Sequence, residues 1–420
     1  MRKVNRRKFM KLAGTAVLAA SMTSVLGACD GAPEEPSAPE APSSSADTGT
    51  GDSGDTGHED SSSSSSEPEE EPQKIIWKIS ANGDGTAELV GYDQAGATPS
   101  GTVTLPEKVS GSTITSVDMS IGNKVTKIII PGCIKKVGNL SRDNKSLQEV
   151  VVQQGVEQLS YENWSICYSP FLNCVNLTRV QLPSTLKIIN MDCFHGCKNL
   201  KQISLPEGLT KLGANAFTNS GLTDIVIPAS VTEVQGEVFR NSALESATLK
   251  GPVCGSNMFE ECDKLETVTL NEKTESIPSR MFKNCRALKK IKLPSKLKEI
   301  GYQAFSGCTS LQTVIMPTTI SEVGDNAFEN CKALQQINIP SGVTSIGSST
   351  FDGCSSLKSI YIPRTVNEVG SYAFDGGSKL KDVYYQASES MWTRITIAGS
   401  GNGFLTAANL HPNSSPLVIV

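Results

Sequence analysis

The sequence predicts a solenoid of short stacked coils, and three observations predict it. One motif recurs from residue 171 onward, as in "AFSGCTSLQTVIMP" (304–317), "AFENCKALQQINIP" (327–340) and "TFDGCSSLKSIYIP" (350–363). Its aromatic anchor falls at Phe171, Phe194, Phe217, Phe239, Phe259, Phe282, Phe305, Phe328, Phe351 and Phe374, and seven of the nine intervals are 23 residues. The position three after the anchor is cysteine in seven units, at Cys174, Cys197, Cys262, Cys285, Cys308, Cys331 and Cys354.

A fixed period of about 20–29 residues with spaced Leu and Ile is the signature of a leucine-rich repeat solenoid. Within one unit, "LQTVIMP" (311–317) places Leu311, Val314 and Met316 inward and Thr313 and Ile315 outward, with the period of two of a strand. Pro317 ends the ladder because it has no N–H to give. A second short extended piece follows at "ISEV" (320–323), and Gly324 suits a tight corner. "DNAFENC" (325–331) has room for about one helical or 3₁₀ turn. The expected coil therefore carries a parallel β-sheet on one face and short strands and one-turn helices on the other. A single coil cannot bury its apolar face alone, so neighbours stack and their phenyl rings form a ladder. The cysteines read as small buried hydrophobes in the same ladder. Stacked side chains project in parallel, a poor approach for S–S bonding, so reduced thiols are expected even though export would permit disulfides. At 217–259 two intervals shorten and the cysteine slot changes, so those coils are expected to kink.

The ends are different in kind. Residues 1–28 carry six Lys or Arg and no acid, and "LAGTAVLAASMTSV" (12–25) is too short and too rich in small residues for a membrane span. They read as a signal peptide. "LGAC" resembles the bacterial lipobox, in which the cysteine, here Cys29, receives lipid and becomes the mature N-terminus. "NRRKFMK" (5–11) is similar to a twin-arginine export signal but departs from it at Asn5 and Met10, so both export routes stay open. Residues 29–73 hold thirteen acids, no Lys or Arg, and from residue 30 no Leu, Ile, Val, Met or aromatic residue. Such a stretch cannot bury enough apolar surface to offset its ordering entropy and reads as a disordered tether. Residues 74–102 read as a β cap built on "IIWKISANGDGTAELVGY" (75–92), two strands joined at a Gly/Asn/Asp turn. The repeat array takes 103–385, and 386–420 leaves the register as a closing cap and tail.

"CFHGC" (193–197) invites a zinc reading, since thiolate and imidazole are preferred ligands. Its place in the repeat argues otherwise. Cys197 belongs to the cysteine series, Cys193 takes the slot of Ala304 and Ala327, and His195 sits at a variable, solvated slot. No metal or cofactor is expected.

The units closely resemble the BspA-like, or Treponema-type, leucine-rich repeats of bacterial surface proteins, in their Ile/Leu-Pro, Val-x-x-Ile/Val-Gly and Ala-Phe-x-x-Cys elements over about residues 100–385. The resemblance implies a curved right-handed solenoid at the cell surface, in a family where some members are adhesins and no catalytic residues are shared. The expected function is a lipid-anchored, extracytoplasmic surface protein that binds an extracellular protein or glycan in adhesion or host/microbe interaction. The membrane is met through the N-terminal lipid. Outward strand positions are the candidate binding face, with Arg179, Gln202, Lys290, Lys292, Gln336, Asn338, Tyr361 and Tyr384 singled out. If the strands form one sheet, that row spans roughly 45–50 Å at about 4.8 Å per strand. "SRMFKNCRALKKIKLPSKLKE" (279–299) concentrates eight Lys or Arg against one acid, which reads as either a solvated face or a site for an anionic partner. Nucleic acid is not expected, because no aromatic stacking platform is interleaved with the bases. With only His195 and His411 in the body, an enzyme has few candidate triads. A solute-binding lipoprotein would call for a two-lobed cleft. It is the first alternative, a surface hydrolase the last.

Overall fold

The computed structural model describes residues 74–160, 162–163, 166–167 and 169–419. The signal peptide, the tether and Cys29 lie outside the described residues. The described chain is a parallel-strand β-solenoid of about 14 turns, about 23 residues apart, with little helix.

Two rows of strands run along the coils. The outward-facing positions of the repeat lie on the first row, whose hydrogen-bonded ladder is interrupted twice and so falls into three sheets. A four-stranded sheet holds Gly101–Thr104, Val125–Ile130, Glu149–Val152 and Arg179–Gln181. A three-stranded sheet holds Asp224–Ile227, Ser246–Leu249 and Thr267–Thr269. A six-stranded sheet holds Lys290–Ile291, Thr313–Val314, Gln336–Asn338, Ser359–Ile362, Asp382–Tyr385 and Asn409–His411. Pairing is in register with the repeat: Asn338 stands opposite Tyr361, and Tyr361 opposite Tyr384. The second row consists mostly of two-residue strands such as Glu299–Ile300 beside Glu322–Val323. It begins with the antiparallel pair Trp77–Ala81 and Thr86–Tyr92, the latter continuing in parallel into Ser112–Val117.

The core is the ladder the repeat anticipates. All ten anchor phenylalanines are buried, and successive ring centroids lie 5.3 to 5.8 Å apart. Burying each ring contributes about 1.5–3 kcal/mol. The shortened intervals do not kink this column, because Phe217, Phe239 and Phe259 stack at 5.4 and 5.7 Å with interplanar angles of 8° and 12°. The missing residues are absorbed outside it. Residues 252–254 form no strand, and the second row is interrupted between Glu233–Val234 and Ser276–Ile277.

The segment around each phenylalanine is not the helical turn expected. In nine units the residues two before and two after Phe both have positive φ, as at Asn326 (57°) and Asn330 (57°) around Phe328. The result is a run of tight turns whose alternate N–H groups point to the next coil. Arg280, Phe282 and Asn284 donate to the carbonyls of Tyr302, Ala304 and Ser306 at 2.9, 2.9 and 2.7 Å. The intervening N–H groups close local turns, as in Cys285 to Phe282 O at 3.1 Å. A helical turn would keep these bonds inside one coil; the left-handed residues free half of them to join coils. This is why Asn and Gly recur here, being the residues that tolerate that conformation.

The segment expected to leave the register after 385 completes a further coil. Thr396–Ile397 pairs with Glu368–Val369, and Asn409–His411 with Asp382–Tyr385. The helices Glu389–Trp392 and Gly403–Ala407 connect them, with Trp392 edge-on to the buried Tyr385 ring at 5.3 Å. No helix among the described residues is long and apolar enough to cross a membrane.

Candidate binding face

The structure brings five of the eight singled-out residues, Gln336, Asn338, Tyr361, Tyr384 and Lys290, onto the six-stranded sheet. Lys292 follows directly after its first strand. Arg179 lies on the four-stranded sheet, exposed and 3.8 Å from Glu149. Gln202 is exposed but belongs to no strand, in the gap between the first two sheets.

Not all eight positions are open. Tyr361 is only 4% exposed, and its strand partner Ser359 only 6%. Asn338 is engaged through both amide atoms: its Nδ2 donates to Leu417 O at 2.8 Å, and its Oδ1 accepts from Leu417 N–H at 3.0 Å. The chain's own segment beyond Asn409–His411 crosses this part of the face. Tyr384 stacks on His411 with centroids 4.6 Å apart, and His411 Nε2 lies 2.9 Å from Asp382 Oδ1. Gln336 donates to Ser359 Oγ at 3.2 Å. The outward-facing reading of Tyr361 is thus corrected by a covering segment. Its trace in the sequence is the apolar run "LVIV" (417–420), which does not say which surface it meets.

Four of the eight Lys or Arg in the basic stretch 279–299 pair with acids of the coil before it. Arg286 pairs with Asp263 at 3.1 Å, Lys292 with Glu272 at 2.5 Å and Lys298 with Glu275 at 2.7 Å. Lys283 reaches Glu260 at 3.9 Å, and the Arg280 guanidinium sits 5.5 Å over the Tyr302 ring. The first three pairs are exposed and worth a fraction of a kcal/mol each. Their effect is to turn a one-sign block into a mixed surface. Lys290 is exposed and has no ion pair among the described residues.

The Cys193/His195/Cys197 cluster resolves into separate packing roles. Cys193 and Cys197 are buried, and the Cys197 thiol donates to Phe171 O at 3.2 Å. His195 is more enclosed than the solvated slot expected, with Nδ1 at 3.2 Å from Asp192 and Nε2 at 3.3 Å from Asn219. Among the described residues no three His, Cys, Asp or Glu side chains converge as metal ligands.

Comparison with known proteins finds leucine-rich repeats. The BspA type leucine rich repeat region family matches in six copies over residues 164–289 and 275–395. A leucine-rich repeat protein from Bacteroides ovatus aligns at 19% identity over 82% of this chain and 99% of its own, with a TM-score of 0.38. A leucine rich cell surface protein from Faecalibacterium prausnitzii aligns at 21% identity over 76% of this chain and 96% of its own, at 0.39. The pneumococcal vaccine antigen PcpA aligns at 17% identity over 82% and 99%, at 0.49. Comparison with curated proteins yields no match. The family assignment rests on the repeat match, which spans more than half of the chain and coincides with the phenylalanine ladder. The chain belongs to the family of BspA-type leucine-rich repeat proteins, repeat scaffolds for binding protein.

Proposed function

We propose that this chain is a lipid-anchored surface protein that presents its repeat array for adhesive binding to an extracellular protein or glycan. In this reading Cys29 carries the lipid, residues 29–73 act as the tether, and the outward strand positions meet the partner. The carrying observation is the division of labour within each coil. Inward positions repeat the same apolar residues, while outward ones vary in charge and size, as in Lys290 with Lys292, Thr313 with Ile315, and Gln336 with Asn338. Such a face can change specificity without disturbing the fold. Surface location is supported by the family's character, and anchorage by the "LGAC" sequence alone. The alternatives, a solute-binding lipoprotein or a surface hydrolase, find no specific observation in their favour.

The anchor is tested by metabolic labelling with a fatty acid, which should mark the wild-type chain and not the Cys29→Ser variant. The face is tested by retention on immobilised matrix proteins and glycans. Charge reversal at Lys290 and Lys292 together should lower retention severalfold and flatten its dependence on salt. Retention unchanged by both substitutions at every salt concentration would remove this part of the face from the binding surface.

A further inference from the structure

The six-stranded sheet already carries a polypeptide across its face, and that polypeptide belongs to the same chain. After Asn409–His411 the backbone turns, with Asn413 N–H donating to Ala387 O and Ser414 N–H to Tyr385 O, both at 2.9 Å. The following residues cross the strands instead of extending their ladder. They pass Ser359–Ile362, where Tyr361 is covered, and reach Asn338 on the next strand, where the Leu417 main chain takes up both amide atoms. Ile419 then lines a cavity of about 190 Å³ shared with Lys290, Thr313 and Gln336. Val418 is 86% exposed, whereas Leu417 and Ile419 are partly buried. This alternation is that of an extended chain with one edge on the sheet.

Asn338 reads only main-chain atoms. An amide that donates to a C=O and accepts from the N–H of one residue holds an extended chain whatever its side chain. Sequence preference is left to the surfaces alongside, polar beside Ile419 at Gln312, Gln335 and Gln336 and apolar farther on. Past Ile419 the face opens into a groove of about 510 Å³ lined by Ile291, Leu293, Ile315 and Pro317, with Lys290 and Lys292 at its rim. Ile315 there is 62% exposed. The occupied and the open stretches form one track, because Lys290 and Thr313 line both cavities.

We propose that this track binds an extended aliphatic polypeptide of another protein, which takes over Asn338 and displaces residues 414–419, the chain's own segment serving as a tethered competitor. The proposal rests on the protein-binding reading above and specifies its partner. A tethered segment acts at an effective concentration on the order of 1 mM. If its own dissociation constant is about 0.1 mM, it holds the track closed about ten to one and weakens an incoming peptide about tenfold.

The test uses the full chain and a fluorescein-labelled synthetic peptide, SSPLVIV, amidated so that its end is uncharged. Its affinity is read by anisotropy for the wild-type chain and for the Leu417→Pro/Ile419→Gly variant, whose strap has no N–H at 417 to give Asn338 and no side chain at 419 to seat. About tenfold tighter binding to that variant is expected, and adding Asn338→Ala should abolish the gain. Equal affinity for the two chains overturns the proposal, as does indifference to Asn338→Ala. Should the double variant misfold, amide exchange in the wild-type chain decides. The unlabelled peptide at 1 mM, about the effective concentration of the strap, should speed exchange at the Leu417 amide several-fold, and unchanged exchange overturns the proposal. Retention of an extracellular protein that survives Asn338→Ala would sink this inference while leaving the binding reading intact. Absence of any retained partner counts against that reading, and the peptide arms are scored separately.

Discussion

Each thiol of the cysteine ladder works as a hydrogen-bond donor as well as a packing group. Six of them, from Cys197 to Cys354, reach the phenylalanine carbonyl of the preceding coil at 3.1 to 3.3 Å. Burial disfavours the thiolate, pushing Cys174 and Cys354 up to about 12 and Cys262 up to about 11 from the ordinary 9.0. The folded chain thus keeps protons that the unfolded chain releases above pH 9. The thiol contribution to stability is whole below the unfolded value and is lost as pH rises toward the folded ones. The denaturation midpoint should fall between pH 9 and 11, and a Cys308→Ala/Cys331→Ala/Cys354→Ala variant should fall less steeply over the same range. A second prediction concerns the slot itself. Ser220 occupies it three residues after Phe217, and its hydroxyl is buried without a hydrogen-bond partner. Ser220→Cys replaces an unsatisfied hydroxyl by a softer, less costly group and should stabilise by about 1 kcal/mol in chemical denaturation. The cysteine series was plain from spacing. That serine fills the gaps at 220 and 242 was equally readable, but only by asking what the slot holds rather than where cysteine is missing.

At the level of the element, the corner around phenylalanine is where sequence reasoning fell short. Seven residues with a central aromatic and flanking polar groups fit one helical turn in length, and nothing in their apolar pattern excludes it. The distinguishing signal was finer: Asn or Gly recurs two before or two after Phe, as in Asn215 and Asn219 or Gln303 and Gly307. A Cβ on Gly307 would collide with Asn284 Oδ1 of the coil before, so glycine there meets both a conformational and a steric demand. Ser349 takes the left-handed conformation at φ 52°. Relief of that conformation should make Ser349→Gly neutral to stabilising, by up to about 1 kcal/mol, while Ser349→Val should cost about 1–2 kcal/mol. Thermal unfolding of the two variants checks the sign of each. The strands posed no such difficulty, because alternation in "LQTVIMP" fixes the inward set directly: Val314 is buried and Ile315 exposed. The covering segment was hidden for a different reason. Periodicity reports a segment's own faces, not which distant surface it will cross, and Leu417 meets a residue 79 positions earlier.

Across the whole repeat array, stability is a sum of coils and of contacts between neighbours, since each ring and thiol and every second corner N–H reaches the adjacent coil. That architecture makes an in-frame change of coil number tolerable provided the register is kept. Removing residues 305–327 joins Ala304 to Phe328, which restores the Ala-Phe pair and places Phe328 beside Phe282. The shortened chain should fold, unfold cooperatively and show a denaturant slope reduced roughly in proportion to the coil lost, because that slope tracks the surface exposed on unfolding. Removing eleven or twelve residues from the same point would set strands against corners and leave both ladders unpaired, so that chain should aggregate or fail to fold. The deletion also carries a functional consequence. It brings Lys290–Ile291 directly beside Gln336–Asn338 and takes away Thr313, Ile315 and Pro317, so the apolar groove disappears while Asn338 keeps its neighbours on the other side. Retention of partner that falls with the groove, in a chain whose melting shows an intact solenoid, would assign binding to that stretch of the face. Unaltered retention would exclude the groove and leave the contact to the strands that remain.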